Sequence, residues 1–272
     1  MSIRQILRGI IKIFVSVYAP SEHKVSNGEH TVHVAAPTLL DNNNPLFLAC
    51  CWHGDNAGQR MMNLLSPKFS DAEFESRVAW MAERGCNTAH LILINGGDGE
   101  KSGYNLATDK SAAKTARARV DKLLAAGWHY IPWIITDDSA AYAKDLFANA
   151  ATRVKALADA GLFEGASVIC LGLEMDESGN EAQWRGVRDA LKAVYSGPIA
   201  THHTSGKSTF ASLGEIVMDQ LDPSCTTAQI KSSVGKLVTR GFNVFGFEYS
   251  RHEDRSKAQA AIDAGAIGVG NW

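Results

Sequence analysis

Residues 167–203 read SVICLGLEMDESGNEAQWRGVRDALKAVYSGPIATHH, and this stretch decides the fold. An apolar run ends in the acidic segment 174–177, a helical pattern follows from about Glu181 to Tyr195, and a second short apolar run covers 198–203. A strand, a helix and a further strand in this order form the βαβ unit of a parallel sheet. The stretch therefore predicts two parallel strands joined by a helix that packs against the sheet.

The same alternation continues along residues 46–272. Predicted strands cover 46–52, 88–94, 129–138, 167–177, 198–203, 215–223, 243–250 and 266–272, and predicted helices cover 70–85, 111–127, 141–161, 181–195, 226–241 and 254–265. Eight strands separated by helices predict an α/β fold, a compact (β/α)8 TIM barrel. A doubly wound open sheet alternates in the same way, but its GxGxxG fingerprint is absent from the glycine-rich loop at 94–105.

Residues 1–45 are predicted to precede the barrel as an amphipathic helix and an irregular lead-in. As a helix, MSIRQILRGIIKIFVSVYAP places its apolar residues on one face and Arg4, Arg8 and Lys12 on another. Because Lys12 interrupts the apolar stretch, we expect this segment to be retained and not to be cleaved as a signal peptide. The helix would cover one end of the barrel, or it would take the place of an eighth helix in the outer ring, since none is predicted after the eighth strand. Docking to a larger assembly or a membrane surface is the alternative. The lead-in carries a turn signal before Pro45.

The composition is that of an ordinary soluble globular protein, with 45% hydrophobic residues, 21% charged residues and a formal net charge of -2. Without a basic run, nucleic acid is not an expected partner. Without about 20 successive apolar residues, no transmembrane span is expected. The five cysteines show no CxxC spacing and are expected to be buried free thiols. These features suit the cytoplasm or a secreted or viral particle, and they leave the location open.

Two short segments repeat a glycine and a glutamate at the same spacing. Gly172 and Glu174 lie in LGLEMDE (171–177), and Gly246 and Glu248 lie in FGFEYS (245–250). Residues two apart on a strand share one face, so each glutamate would stand above a position without a side chain if that face pointed inward. Strands four and seven are not neighbours in the barrel, so the two glutamates would face each other across its open end. Two such carboxylates suit the cleavage of a glycosidic bond.

At this point the sequence resembles the clan of retaining (β/α)8 glycoside hydrolases, which carry catalytic glutamates after strands four and seven. The resemblance implies that Glu174 is the acid/base, that Glu248 is the nucleophile and that Trp272 forms an aromatic platform after strand eight. Burial and the charge of Glu248 are expected to raise the pKa of Glu174. The clan commonly has Asn before the acid/base, whereas this chain has Leu173. If strand four ends later than predicted, Glu177 is the alternative acid.

Side chains near other predicted strand ends are candidates for holding a sugar. Aromatic rings stack on the apolar faces of sugar rings, and histidines and carboxylates bond to their hydroxyl groups. The predicted substrate-binding residues are Trp52, His53, Asp55, Tyr104, Trp133, Asp137, Glu177, His202, Tyr249 and Trp272. The expected partner is an oligo- or polysaccharide, and the two-carboxylate mechanism requires no metal or organic cofactor.

Two other functions are open alternatives. His53 and Asp55 in CWHGDN, with His202 or His203 in THHTSG, could bind a metal that activates water. At most one of the two neighbouring histidines can face the barrel interior, since successive strand residues point to opposite sides. A barrel that binds carbohydrate without cleaving it is the other alternative.

Overall fold

The seven strands predicted from residue 88 onward all form, and they pair in parallel in chain order. The computed structural model describes residues 40–41, 44–45, 61–83, 86–97, 99, 101–137, 139–204, 206–220, 224–247 and 255–269. The strands are β1 (Leu40–Asp41), β2 (Asn44–Pro45), β3 (Thr88–Asn95), β4 (Tyr104–Asn105), β5 (His129–Ile135), β6 (Ile169–Cys170), β7 (Ile199–His202), β8 (Ile216–Gln220), β9 (Asn243–Phe247) and β10 (Gly268–Val269). The predicted first strand, 46–52, lies outside the described residues.

Helices connect the parallel strands and pack on the outside of the sheet. They are α1 (Asp71–Glu83), α2 (Lys110–Ala125), α3 (Ala140–Ala148), α4 (Ala150–Asp159), α5 (Met175–Ser178), α6 (Glu181–Lys192), α7 (Thr227–Thr239) and α8 (Arg255–Asp263), with 3-10 turns at Met61–Asn63 and Ala211–Leu213. The strand order is β10-β9-β8-β7-β6-β5-β3-β4. This curled sheet with alternating helices is a (β/α)8 barrel, as predicted.

One strand of the sheet was not predicted. Residues 94–105 were expected to form a loop, but β4 pairs antiparallel with the end of β3, with Ile94 opposite Asn105 and Asn95 opposite Tyr104. The pairing is only two residues long, and the glycines before it give no strand pattern in the sequence.

The barrel interior and the layer beneath the helices are two separate apolar regions. Trp133 lies inside the barrel, where β5 pairs it with Ile92 of β3 on one side and Cys170 of β6 on the other. In β9, Phe245 and Phe247 also face the interior, whereas Val244 packs beneath the helices. This alternation is what a strand buried on both faces requires.

Side-chain caps fix where several helices begin. At the start of α1, the Ser70 N–H donates to the Glu73 carboxylate at 2.7 Å, and Ser70 Oγ accepts from the Glu73 N–H at 3.2 Å. The same reciprocal arrangement begins α6 and α7. Such caps satisfy N–H groups that the helix itself cannot, and each stabilises the fold by about 1 kcal/mol. Ser70, the first residue of the predicted helix 70–85, is thus the N-cap of α1.

The predicted helix at 141–161 is broken into α3 and α4. The break is at Asn149, whose backbone leaves the helical region with φ -130°. Its side chain donates to Asp145 Oδ1 at 2.9 Å, and Arg153 Nε donates to Asp145 Oδ2 at 2.6 Å. An asparagine that bonds to groups of the preceding turn competes with the helical pattern, which periodicity alone does not reveal.

Of residues 1–45, the structure describes only the two short strands β1 and β2. Leu40 pairs with Pro45 and Asp41 with Asn44 in antiparallel register, as the turn signal before Pro45 predicts. The predicted amphipathic helix lies outside the described residues. Among the helices that are described, none has the length and apolar character needed to cross a membrane.

Candidate active site

Glu174 stands where β6 gives way to the single helical turn α5. The hydrogen bonds of the sheet continue past β6 to Leu173, whose N–H donates to Ile135 O at 3.0 Å. Glu174 then adopts a left-handed backbone with φ 42° and ψ 54°, alone among the non-glycine residues that the structure describes. This conformation costs about 1–2 kcal/mol for a residue with a Cβ atom. The surroundings must therefore hold Glu174 in place.

His202, at the end of β7, supplies one such hold. The Glu174 N–H donates to Nδ1 of His202 at 3.0 Å. Burial, followed by the neighbouring His203, lowers the pKa of His202 to about 3. The ring is therefore neutral at ordinary pH, with Nδ1 free of a proton and able to accept. The proton must then lie on Nε2, which has no hydrogen-bond partner in the described part of the chain.

Three carboxyl groups meet at the carboxyl ends of β5 and β6. Asp137 follows β5, Glu174 follows β6 and Glu177 belongs to α5. One carboxylate oxygen from each lies within 4.8 Å of those of the other two. The carboxyl group of Glu174 also lies within hydrogen-bonding reach of the side chains of Asp137 and Gln220. Since reactive groups of (β/α)8 enzymes lie at this end of the barrel, the cluster is the candidate active site.

The environment of Glu174 raises its pKa to about 7. Burial is the largest cause, followed by the negative charges of Asp137 and Glu177; the hydrogen bond from Gln220 acts in the opposite direction. The predicted direction and its leading cause are confirmed, and Asp137 and Glu177 are two like charges that the sequence analysis did not name. The predicted contribution of Glu248, which lies outside the described residues, stays a prediction. A carboxyl group that is half protonated near neutral pH can both give and accept a proton.

Asp176, two residues further on, has the opposite electrostatics. It accepts hydrogen bonds from Thr204 N at 2.8 Å and Thr204 Oγ1 at 2.6 Å, and from Lys207 Nζ at 2.9 Å. Burial acts to raise the pKa of Asp176, but these hydrogen bonds outweigh it and lower the pKa to about 2. Asp176 therefore stays ionised and ties α5 to the loop after β7.

Buried rings support the site from inside the barrel. The ring of His202 packs against Trp133 at 5.2 Å between centroids and against Phe247 at 5.5 Å. Trp133 Nε1 in turn donates to Nδ1 of His90 at 3.1 Å. These contacts fix the plane of the His202 ring, which accepts the hydrogen bond from Glu174.

Two aromatic residues predicted to stack on sugars lie in the core instead. Trp133 is 0% exposed and Tyr104 is 4% exposed. The Tyr104 hydroxyl donates to Ile92 O at 3.0 Å, which holds β4 beside β3. Both rings are covered because their positions fall on paired strands, where residue type alone cannot tell an inward ring from one at the rim.

The glycine of LGLEMDE has a different purpose from the one predicted. A Cβ atom on Gly172 would lie 2.5 Å from the ring of Trp184, a buried residue of α6. The missing side chain thus makes room for the indole and does not open the barrel. In β9 the interior positions are Phe245 and Phe247, so Gly246 lies on the other face of that strand. The proposed open space above the two glycines is a wrong prediction.

The two neighbouring histidines separate as the strand geometry requires. His202 faces the interior, and His203 turns away and accepts a hydrogen bond from Phe210 N at 2.9 Å through Nε2. Gln220 is a site residue that the sequence analysis missed. Its position two residues after the inward Met218, at the end of β8, was the available signal.

Several predicted site residues lie outside the described residues, and their roles stay predictions. They are Trp52, His53, Asp55, Glu248, Tyr249 and Trp272. β9 ends at Phe247, the residue directly before the predicted nucleophile. β6 and β9 are separated in the sheet by β7 and β8, as predicted for strands four and seven.

Comparisons with known proteins find similarity in structure but not in sequence. No protein-family model matches the chain. No curated protein matches it either. The comparison with known proteins therefore depends on solved structures that share the fold of this chain.

The similar solved structures include glycoside hydrolases of several families. A glycoside hydrolase of family 5 from Bacteroides vulgatus ATCC 8482 is 11% identical with a TM-score of 0.56, over 75% of this chain and 54% of that chain. An exo-β-1,4-mannosidase from Opitutaceae bacterium strain TAV5 is 15% identical with a TM-score of 0.50, over 78% of this chain and 47% of that chain.

A third protein, also from Bacteroides vulgatus ATCC 8482 and assigned by inference to the glycoside hydrolases, is 10% identical. Its TM-score is 0.58, over 84% of this chain and 50% of that chain. The chain thus spans about half the length of these three proteins. At such low identities the likeness establishes the barrel fold alone.

Proposed function

We propose that the protein is a glycoside hydrolase in which Glu174 is the acid/base and Glu248 the nucleophile. The observation that carries the proposal is the Glu174 carboxyl group, held at the carboxyl end of the barrel strands with its pKa raised to about 7. A general acid works best when its pKa lies near the working pH. The paired-carboxylate mechanism needs one such protonated group.

In the first step, Glu248 attacks the anomeric carbon while Glu174 gives its proton to the glycosidic oxygen, so that the leaving sugar departs as an alcohol. Glu174 is then ionised. In the second step, it takes a proton from a water molecule that attacks the same carbon and releases Glu248. Hydrolysis by this route retains the configuration of the anomeric carbon.

The similar solved structures support this proposal at the level of the fold, since several are glycoside hydrolases. Support from the site is independent of them. The carboxyl group with the raised pKa is the one to which the resemblance assigns the acid/base role. The buried ring of His202 accepts a hydrogen bond from the Glu174 N–H and so fixes the backbone that carries this carboxyl group. A carboxylate on a freely exposed side chain has no such support.

The test compares wild-type protein with Glu174→Gln and Glu248→Gln on a library of oligosaccharides and activated aryl glycosides. We expect Glu248→Gln to lose cleavage and keep binding. Glu174→Gln should lose cleavage of oligosaccharides and retain part of its activity on aryl glycosides, whose leaving groups need no proton. Azide should restore turnover of Glu174→Gln and yield a glycosyl azide, because azide attacks the anomeric carbon of the glycosyl-enzyme and releases Glu248 without a base to deprotonate it.

Three outcomes would contradict the proposal. Unchanged cleavage by Glu248→Gln would exclude Glu248 as the nucleophile. Binding of carbohydrate by the wild-type protein without any cleavage would favour a carbohydrate-binding barrel. Loss of activity with a chelator, restored by Zn²⁺, would favour the metal-dependent alternative through His53 and Asp55. Proton NMR of the first product formed distinguishes retention from inversion.

A further inference from the structure

A cavity of about 530 Å³ lies beside the carboxyl cluster, between α3 and the α5–α6 segment. Its lining includes Asp137, Ala140, Lys144, Phe147, Glu177 and Ser178. Ligand sites in proteins commonly have volumes of about 300–1,000 Å³, so the space is large enough for a sugar unit.

The cavity and the candidate active site share two side chains. Asp137 and Glu177 line the cavity, and their carboxylates lie within 4.8 Å of the Glu174 carboxylate. The group that is proposed to deliver the proton therefore lies next to the cavity's edge. A ligand in the cavity would reach Glu174 without crossing the barrel.

The two walls of the cavity differ in chemistry. Ala140, Ala143 and Phe147 of α3 form an apolar wall, and the edge of the Phe147 ring is fixed against Trp184 at 5.0 Å between centroids. The opposite wall includes Gln183 and Ser178, whose buried Oγ has no hydrogen-bond partner in the part of the chain described. An apolar wall facing a few polar groups suits a sugar ring, which has an apolar face and a rim of hydroxyl groups.

The position of the cavity indicates which part of a substrate it would hold. In the two-carboxylate mechanism, the attacked carbon lies between the nucleophile and the glycosidic oxygen, and the acid lies on the side of the leaving group. The cavity adjoins β5 and β6, whereas the nucleophile follows β9, beyond β7 and β8. A substrate that passes from the barrel centre over Glu174 would place its leaving group here.

Charge limits what the cavity can accept. Asp137 and Glu177 place two carboxyl groups at its inner edge, and Lys144 is the one cationic residue among those that line it. A uronic acid or a sulfated sugar at the inner edge would face like charges, which disfavour binding. A neutral or amino sugar meets no such repulsion.

We propose that this cavity is the subsite for the leaving group and that it takes a neutral or amino sugar unit. The proposal rests on the proposed function, because the direction of the leaving group follows from Glu174 as the acid. The site is distinct from the position of the attacked sugar, so filling it should spare substrates whose leaving group is a single atom, such as glycosyl fluorides.

The test uses Ala140→Trp, which fills the cavity from an exposed position, and Ala141→Trp, its exposed neighbour that does not line the cavity. Two readouts are measured: the ratio of kcat/KM for neutral oligosaccharides to that for glycosyl fluorides, whose leaving group is a single fluoride ion, and binding to an immobilised library of hexose, hexosamine and hexuronic acid oligosaccharides. We expect Ala140→Trp to lower the ratio and the affinity by about tenfold or more, equivalent to about 1.4 kcal/mol, and Ala141→Trp to leave both unchanged. Ser178→Ala, a smaller change, should act in the same direction.

The outcomes separate the two proposals. If Ala140→Trp and Ser178→Ala leave cleavage unchanged, the subsite proposal is wrong, but the proposed function is unaffected. Binding that Ala140→Trp weakens, without cleavage by wild-type protein, would support the cavity as a sugar site and overturn the catalytic proposal. Preferred binding of hexuronic acid oligosaccharides would overturn the charge assignment, and no binding to any member of the library, with no cleavage, would overturn both proposals.

Discussion

Glu174 and Asp176 lie two residues apart, yet their environments drive their carboxyl groups to opposite states. Glu174 is half-buried beside two further carboxyl groups, and its pKa is raised to about 7. Asp176 accepts hydrogen bonds from Thr204 and Lys207, and its pKa is lowered to about 2. The raised pKa of Glu174 favours folding below the ordinary pKa of 4.5, and this contribution is lost as the pH rises through about 7. The raised pKa of Glu174 is thus maintained at a cost in stability near neutral pH.

The pH dependence of activity should report on the charges around Glu174. Since Glu174 must be protonated to act, kcat/KM is expected to fall as the pH rises above about 7. Glu177→Gln removes one like charge, so this limb should move to lower pH by about half a unit. The measurement is the pH profile of kcat/KM, with Glu181→Gln at the start of α6 as the control. A limb that does not move would exclude Glu177 as a determinant of the pKa of Glu174.

His202 should act by positioning Glu174. His202→Leu removes the acceptor of the Glu174 N–H, whereas His202→Asn retains an oxygen near the place of Nδ1. We expect the leucine variant to lose kcat/KM by about tenfold or more, since misplacing a reacting group by about 1 Å has effects of this size. The asparagine variant should keep most of the activity and the wild-type pH profile. Equal loss in both variants, with equal thermal unfolding, would assign His202 to packing alone.

At the scale of elements, the junction of β6, α5 and α6 determines where Glu174, the proposed acid, lies. Trp184 of α6 fills the space above Gly172, and its Nε1 donates to Met175 O at 2.8 Å, one residue after Glu174. The ring therefore links the sheet to the turn that carries the acid. The sequence predicts each of these elements but not their contact, because a buried indole and a distant glycine carry no mutual signal in the chain.

A matched pair of glycine substitutions tests this packing. Gly172→Ala brings a Cβ atom to 2.5 Å from the Trp184 ring and should lower the free energy of unfolding by about 1–3 kcal/mol. Gly186→Ala lies within α6, where the added Cβ meets nothing within 4 Å, and should raise it by about 0.5–1 kcal/mol. Denaturant unfolding measures both changes. Equal stability of Gly172→Ala and wild type would show that Trp184 can move away without cost.

At the scale of the whole molecule, the repeated strand and helix pattern predicts the barrel because each βα unit is periodic over many residues. Seven strands from residue 88 onward lie where the pattern places them. The pattern does not predict the helix break at Asn149, which depends on one side chain, or β4, which depends on the pairing of a loop with β3. Glu174 is the candidate acid because it follows strand four, where the resemblance to the glycoside hydrolase clan places that residue. To predict that Gln220 belongs to the site and that Trp133 is buried, one must know which face of each strand turns inward. The sequence does not give this information.

The distribution of the site along the chain also has a consequence for biosynthesis. Asp137, Glu174, His202 and Gln220 come from the ends of four neighbouring parallel strands, β5 to β8. Pairing of parallel strands joins residues far apart in the chain and is slow to form. On a ribosome, Glu174 therefore lacks the hold of His202 until β7 has emerged and docked, and it lacks Gln220 until β8 has followed. A nascent chain that ends before β8 therefore lacks part of the set of side chains around the Glu174 carboxyl group, and the surroundings of the proposed acid are complete only once β8 has docked.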